Sequence, residues 1–515
     1  MTDHAAEPST RARRRADRGV RVLRDITGRR QLRNPFGGAS ILSDDHVAHL
    51  HTQALQFLQS SGIRVLLPEA RTRFAGAGAS VDHDALLVRL DTALTQELLD
   101  LAPAEFTITA RNASRSLVVG GDHLALAPVA GPPYVSDRVH GRRPGTMSDF
   151  DDFVRLTQRT EVLHTTTPAV EAQDVPMALR HLRTTQSTLT LSDKVPYFYA
   201  RGRGVVADSL EMIRLANGVS VDEFRTRPYC WTNINTNSPR QLDVPMCMGI
   251  IDSAAAGQAT IMTPFTLAGA MAPVTLAGAL LLQHVEALAA IALAQIVRPG
   301  APVIYGAFTS NVDMKSGAPA FGTPEGFTAS VASGQLARHI DVPWRSQATS
   351  TSNTEDAQGA AETMVSLTGA LLGGANVVLH SAGWQEGGLV ASMEKFVLDV
   401  EVLDIVAESL RPIPMDDASL AVASIDEVGP GGHFFGTSHT LERFETAFHD
   451  PVAFTRQNHG QWTEAGSHDA ATRATDVWQR WLREFEAPPI DDAALAAVDE
   501  FVQRRVAEGG ALPES

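Results

Sequence analysis

The stretch N-V-V-L-H-S-A-G-W-Q-E-G-G, residues 376–388, starts as an apolar run suited to a core and finishes on His380, Trp384, Glu386 and two glycines. A buried parallel strand takes this form when its C-terminal end opens on a site: both faces are covered, and polar groups are delivered at the tip. Seven earlier runs share the form: A-L-A-P-V (125–129), V-L-H-T-T-T-P (162–168), V-P-Y-F-Y-A-R-G (195–202), Y-C-W-T-N-I-N-T-N (229–237), A-T-I-M-T-P-F (259–265), P-V-I-Y-G-A-F-T-S (302–310) and V-P-W-R-S-Q-A-T (342–349). Most are followed by a helical stretch.

Strands alternating with helices predict parallel βαβ units, and eight such units are what a closed barrel requires. The expected fold is α/β, a TIM (β/α)8 barrel over residues 125–412. Residues 34–124 are expected to form an N-terminal α+β layer packed on it, with strands at 106–110 and 117–119. Ser43-Asp44-Asp45 predicts a cap for a helix running to about Leu58. Residues 413–515 are expected to wrap the barrel with a loop and helices around 441–448, 470–485 and 491–506. A doubly wound sheet is disfavoured, because no Gly-rich dinucleotide turn follows the first strand.

Of the 515 residues, 44% are hydrophobic and 20% charged, as in a globular protein. With 43 basic and 59 acidic residues the net charge is −16, which argues against nucleic acid or an anionic membrane as partner. Residues 1–33 read as a disordered basic tail, with nine arginines from Arg11 to Arg30 against Asp17 and Asp25. The tail lacks the apolar core and cleavage site of an export signal, so the chain is expected in the cytoplasm. The longest apolar run, 279–297, carries Gln283, His284, Glu286 and Gln295 and reads as a buried helix rather than a membrane span. Cys230 and Cys247 are too few for a disulfide framework or a cysteine-rich metal site and are expected reduced and buried.

All five tyrosines, Tyr134, Tyr197, Tyr199, Tyr229 and Tyr305, lie in or beside the expected barrel strands, as do Trp231, Trp344 and Trp384. Packing alone accounts for any one of them. As a set they can ring a cavity and hold a quaternary ammonium by cation–π attraction, about 0.5 to 2 kcal/mol per contact. Arg345 stands at a strand tip, where its planar fork suits a carboxylate. With His380 at a neighbouring tip, the combination suits a small zwitterion. No metal is expected: His433 and His439 have neither a cysteine cluster nor an H-E-x-x-H motif beside them, and the loop Gly429-Pro430-Gly431-Gly432 lacks the Lys-Ser/Thr ending of a phosphate loop.

The blocks N-T-N-S-P (235–239), T-P-F-T-L-A-G-A-M-A-P-V-T-L-A-G-A (263–279), G-A-F-T-S-N-V-D-M-K-S-G-A-P-A-F-G-T-P-E (306–325) and A-G-W-Q-E-G-G-L-V-A-S-M-E-K (382–395) resemble the trimethylamine methyltransferase family. So do G-G-D-H at Gly120 and the ending E-V-G-P-G-G-H-F-F-G-T (427–437). The resemblance spans roughly residues 34–505. It implies a TIM-barrel enzyme that passes a methyl group from a methylated amine to the Co(I) cobalamin of a separate corrinoid protein. On this reading the chain binds no cofactor of its own; the cobalamin belongs to the partner, and a homo-oligomer is expected.

The family's trimethylamine enzymes carry pyrrolysine in the segment matching 346–356, where this chain reads S-Q-A-T-S-T-S-N-T-E-D. That departure points to the branch lacking pyrrolysine, which includes glycine betaine methyltransferases. Trimethylamine, proline betaine and carnitine stand as alternative substrates, and a non-catalytic binding protein for a compatible solute as the reading from another class. By resemblance, Arg345 binds the carboxylate, His380 assists it, and Trp384 and Tyr134 wall the ammonium. Phe308, Asn235 and Tyr305 join the pocket by strand-tip position only. Two roles are open for Glu386, an ion pair with Lys395 or a face toward the partner protein.

Overall fold

The computed structural model describes residues 31–514. The expected basic tail therefore lies, up to Arg30, outside the described residues. Leu32 and Arg33 already pair antiparallel with Leu124 and His123, so regular structure is present before residue 34.

The main sheet has seven strands. In chain order they are β1 (Leu32–Arg33), β2 (His123–Leu126), β3 (Trp231–Thr236), β4 (Ala259–Pro264), β5 (Val303–Gly306), β6 (Trp344–Gln347) and β7 (Val377–Leu379), and the order across the sheet is β1-β2-β7-β6-β5-β4-β3. Every pair except β1 with β2 is parallel. The protein is thus α/β with a parallel sheet.

The expected closed eight-stranded ring is not seen as one continuous ladder. The runs at 162–168 and 195–202 are not regular strands and make isolated parallel bridges, Thr165 with Val195 and Tyr197 with Trp231. Side chains there take or share some of the groups a ladder would use, beside the backbone bonds that remain. Leu126 donates its N–H to His164 Nδ1 at 2.9 Å, Thr165 Oγ1 donates to the Val195 carbonyl at 2.7 Å, and Thr232 Oγ1 donates to the Phe198 carbonyl at 2.7 Å. Pro196 also has no N–H to offer.

The period-two rule sorts the side chains cleanly. Trp231, Ala259, Ile261, Ile304, Val377 and Leu379 face a cluster shared with Ile108, Leu117 and Val119 of the hairpin Glu105–Ile108/Leu117–Gly120. Their neighbours Ile234, Met262, Val303, Tyr305, Trp344 and Val378 face the larger core formed with the helices.

The predicted helix opens at Asp44–Ser60, with the Ser43 side chain accepting from the His46 N–H. The long apolar run is the helix Leu276–Val297, the one helix among the described residues long and apolar enough to cross a membrane; most of it is buried inside the protein, including Gln283, His284 and Glu286. Cys230 and Cys247 are buried and unpaired with one another.

The stretch expected as one C-terminal extension divides. Residues 451–514 belong to the same compact unit as 31–412, and residues 413–450 to a second unit. In the first, helix Ala470–Arg483 sends the Trp478 indole N–H to Glu394 at 3.0 Å, and Arg505 of helix Asp492–Ala507 pairs with Asp208 at 2.7 Å. In the second, the helix expected at 441–448 is Ser438–Arg443, started by a Thr437 cap; the His439 ring lies 3.2 Å from the Ala418 carbonyl, and His433 packs on Phe435.

Candidate active site

Four of the sequence-derived residues come together. Arg345 lies on β6 with its guanidinium carbon 5.4 Å from the centre of the Phe308 ring, just beyond β5. The Phe308 ring is 5.8 Å from His380 and 6.1 Å from Trp384, and the His380 and Trp384 rings are 4.0 Å apart. Phe265 and Phe321 complete the aromatic group at 5.0 and 5.3 Å from Phe308.

Arg345 is 1% exposed, yet among the described residues no carboxylate pairs with it. Its hydrogen bond runs from one terminal nitrogen to the Ala307 carbonyl at 3.3 Å, and its Nε has no partner. A buried cation without a counter-ion is costly unless a ligand supplies one. Burial draws the guanidinium down to about 9, still cationic at neutral pH. His380 Nδ1, Trp384 Nε1 and Gln347 Oε1 are likewise buried without partners. Burial, then the charge of Arg345, hold the His380 imidazole well below its ordinary value, so it is neutral at pH 7. The group can grip a carboxylate through Arg345, donate to it from neutral imidazole or indole, and set aromatic faces against a cation.

Backbone geometry delivers these residues. His380 follows β7 at φ +61, and Gly383 at φ +90 turns the chain toward Trp384. At Gly388, φ is +99 and a Cβ would stand 2.3 Å from Trp384 Cζ2, so only glycine lets that loop close on the indole.

The other three expected residues divide. Asn235 lies on the inner face of β3, in register with the interior Trp231 and Asn233, and accepts from Asn233 at 2.6 Å. Tyr305 is a correction. One residue out of phase with the interior Ile304, it points to the helices, where its hydroxyl accepts from Gln283 and pairs with His284, both at 3.0 Å. Tyr134 sits at the start of the hairpin Tyr134–Asp137/Gly141–Pro144, with the Arg142 guanidinium 3.8 Å from its ring centre. Its ring makes none of the contacts that join Phe308, His380 and Trp384.

Glu386 does not form the expected ion pair with Lys395. It pairs with Arg142 at 3.0 Å, while Lys395 pairs with buried Asp399 at 2.7 Å.

Sequence reasoning left Gln347, Phe321 and Asn233 unassigned. Gln347 is two residues beyond Arg345 on the same strand face, and that spacing was the available signal. Asn233 joins Tyr197, whose hydroxyl accepts from the Asn233 N–H at 3.4 Å, to Thr263, which donates to it at 2.6 Å. Burial raises the Tyr197 phenol, opposed by the Asn233 N–H that it accepts from and, more weakly, by the charges of Arg201 and Arg345.

A family model described as trimethylamine methyltransferase matches residues 8–510. A glycine betaine methyltransferase of Desulfitobacterium hafniense is 34% identical over 92% of this chain and 98% of its own. A trimethylamine methyltransferase of Methanosarcina barkeri is 28% identical over 90% of this chain and 95% of its own. Among solved structures, the monomethylamine methyltransferase of Methanosarcina barkeri aligns over 92% of this chain with a TM-score of 0.48 at 9% identity.

Proposed function

The chain belongs to the trimethylamine methyltransferase family, and from that membership we propose that it takes a methyl group from a carboxylated quaternary amine of the glycine betaine type. The observation that carries the substrate class is Arg345, a buried cation without a carboxylate partner among the described residues, set over Phe308 and beside His380 and Trp384. A betaine offers what this group lacks: a carboxylate for the guanidinium and a fixed cation for the rings.

The acceptor on this reading is the Co(I) of a cobalamin carried by a separate corrinoid protein, which supplies the nucleophile. In the transfer the N–CH3 bond breaks and its electron pair remains on nitrogen, leaving a neutral tertiary amine that needs no proton. The chain's own residues then have positioning to do: Arg345 fixes the carboxylate end, neutral His380 hydrogen-bonds without adding charge, and Phe308 and Trp384 orient the ammonium and keep water from it. A strongly reducing acceptor agrees with a cytoplasmic setting.

A closed (β/α)8 barrel is the finer fold that suits this site. Its support is the return of β7 onto β2 in parallel register, together with the bridges through Thr165 and Tyr197 that span the remaining gap.

The test mixes the protein with a reduced corrinoid protein and a panel of methylated amines, following loss of the Co(I) absorbance. Glycine betaine or a longer carboxylated quaternary amine should react, whereas dimethylglycine and trimethylamine should not. Equal rates from the tertiary amines would overturn the reading, since their nitrogen must keep its proton through the transfer, and an aromatic wall built for a fixed cation supplies no acceptor to hold that N–H.

A further inference from the structure

We infer that Glu362 is the positioning residue that sets the aperture of the aromatic group, acting through the turn at Ser350, Thr351 and Ser352 on both Trp384 and Phe321.

Glu362 lies on the helix Ala357–Leu372 and, among the described residues, has no cation as a partner. One carboxylate oxygen accepts from Ser350 Oγ at 2.8 Å and from the Thr351 and Ser352 backbone N–H groups at 2.7 and 3.0 Å. The other accepts from Gln358 Nε2 at 2.8 Å and from Thr351 Oγ1 at 3.3 Å. A carboxylate that gathers consecutive backbone N–H groups fixes the turn they belong to, and hydrogen bonds to an ionised acceptor are about twice as strong as neutral ones.

The turn passes this order on in two directions. Ser352 O accepts from the Glu386 N–H at 3.0 Å and Ser350 O from the Gly387 N–H at 3.2 Å, which anchors the loop that continues from Trp384. Glu386 and Gly387 both have positive φ, +49 and +63, so this loop needs outside support to keep its shape. Toward the other wall, Thr351 Oγ1 approaches Phe321 O at 3.3 Å and Phe321 N at 3.4 Å. Gly322 leaves no room for a Cβ, which would stand 2.4 Å from Glu362 Cβ. Phe321 and Trp384, held from one turn, meet edge to face at 6.3 Å.

This inference rests on the quaternary-amine reading, and the test separates the two. Binding of glycine betaine to the protein alone is measured by calorimetry, and steady-state transfer with a reduced corrinoid protein, for the parent, Glu362→Gln and Glu362→Asp. The Gln amide puts a donor against backbone N–H groups; Asp retains the charge but falls short by one methylene. We expect betaine affinity to fall about tenfold in Glu362→Gln, the scale of one weakened cation contact, with KM rising in parallel and kcat within about threefold. Glu362→Asp should fall between it and the parent. The contribution of Trp384 to fluorescence, isolated by subtracting matched Trp384→Phe variants, should shift in Glu362→Gln at unchanged Tm. Unchanged affinity, KM and Trp384 emission in Glu362→Gln would overturn the inference, as would a loss confined to Tm and active fraction with KM constant. A parent that binds no quaternary amine at all would overturn the functional reading instead.

Discussion

His380 and Trp384 stand ring against ring with centroids 4.0 Å apart, the closest aromatic approach of the site. The imidazole is neutral, so the pair presents one polar but uncharged wall and one cation-attracting face. Trp384→Leu should therefore raise KM for a quaternary amine about tenfold through lost cation–π attraction, and leave the pH profile of kcat/KM between about pH 6 and 8 unchanged. A profile that moves with this substitution would show a titrating group coupled to the indole.

The same imidazole makes stability depend on pH in a known direction. Burial holds His380 and His284 well below the ordinary 6.5, so the unfolded chain takes up protons that the folded chain refuses. Their contribution is fully present above the ordinary value and is lost as pH falls below it, with the slope positive in pH. Melting temperature should drop between about pH 7 and 5, less so in His284→Gln. A Tm independent of pH in that window for the parent would contradict this account.

Arg345→Ala should weaken carboxylated quaternary amines by about 2 to 4 kcal/mol, the scale of removing one member of a desolvated charge pair. Arg345→Lys should recover only part, lacking the two-pronged donor geometry. Because Arg345 has no counter-ion among the described residues, neither change strands a buried carboxylate there, and the folded protein should lose little stability. Kinetics equal to the parent in both variants would remove Arg345 from the site.

Lys395 and Asp399 are 3% and 4% exposed and 2.7 Å apart, and Asp399 also accepts from the Gly383 N–H at 2.9 Å, next to Trp384. Lys395→Met should cost about 3 to 5 kcal/mol by stranding the carboxylate. Burial already pushes Asp399 up, and a raised carboxyl folds best when protonated, so the deficit should shrink as pH falls. Denaturant titrations at two pH values check this; a deficit that grows toward acid would refute it.

Lys194 donates to the carbonyls of Thr157, Thr160 and Leu163 at 2.6, 2.5 and 2.5 Å from a fully buried position. Lys194→Met should lower stability by about 2 to 4 kcal/mol through those carbonyls, while leaving the substrate's KM unaltered. A matching rise in KM would connect this knot to the site.

The alternation of strand and helix was legible because it rests on local patterning, and so was the meeting of Arg345, Phe308, His380 and Trp384, whose strand tips end at one level. Tyr305 shows the limit of tip position alone: one residue of phase sends it to His284 rather than inward. The runs at 162–168 and 195–202 looked like the other strands, but their Thr and His side chains compete for backbone partners, a contest decided by tertiary neighbours. Of the two roles open for Glu386, the pair with nearby Lys395 gives way to Arg142, which is distant in the chain and brought in by the Tyr134 hairpin. No periodicity encodes such a meeting.

Gly388 has a thermodynamic consequence. Its lack of a Cβ leaves the room that the Trp384 indole occupies, so the loop backbone packs directly against the ring. A wall packed this closely before the ligand arrives has less disorder to surrender, and the entropic penalty of association falls mainly on the ligand. Binding to the parent should accordingly show a favourable enthalpy with a small opposing entropy, and loosening the turn that carries Gly388 should appear first in the entropy of binding, before any loss of heat.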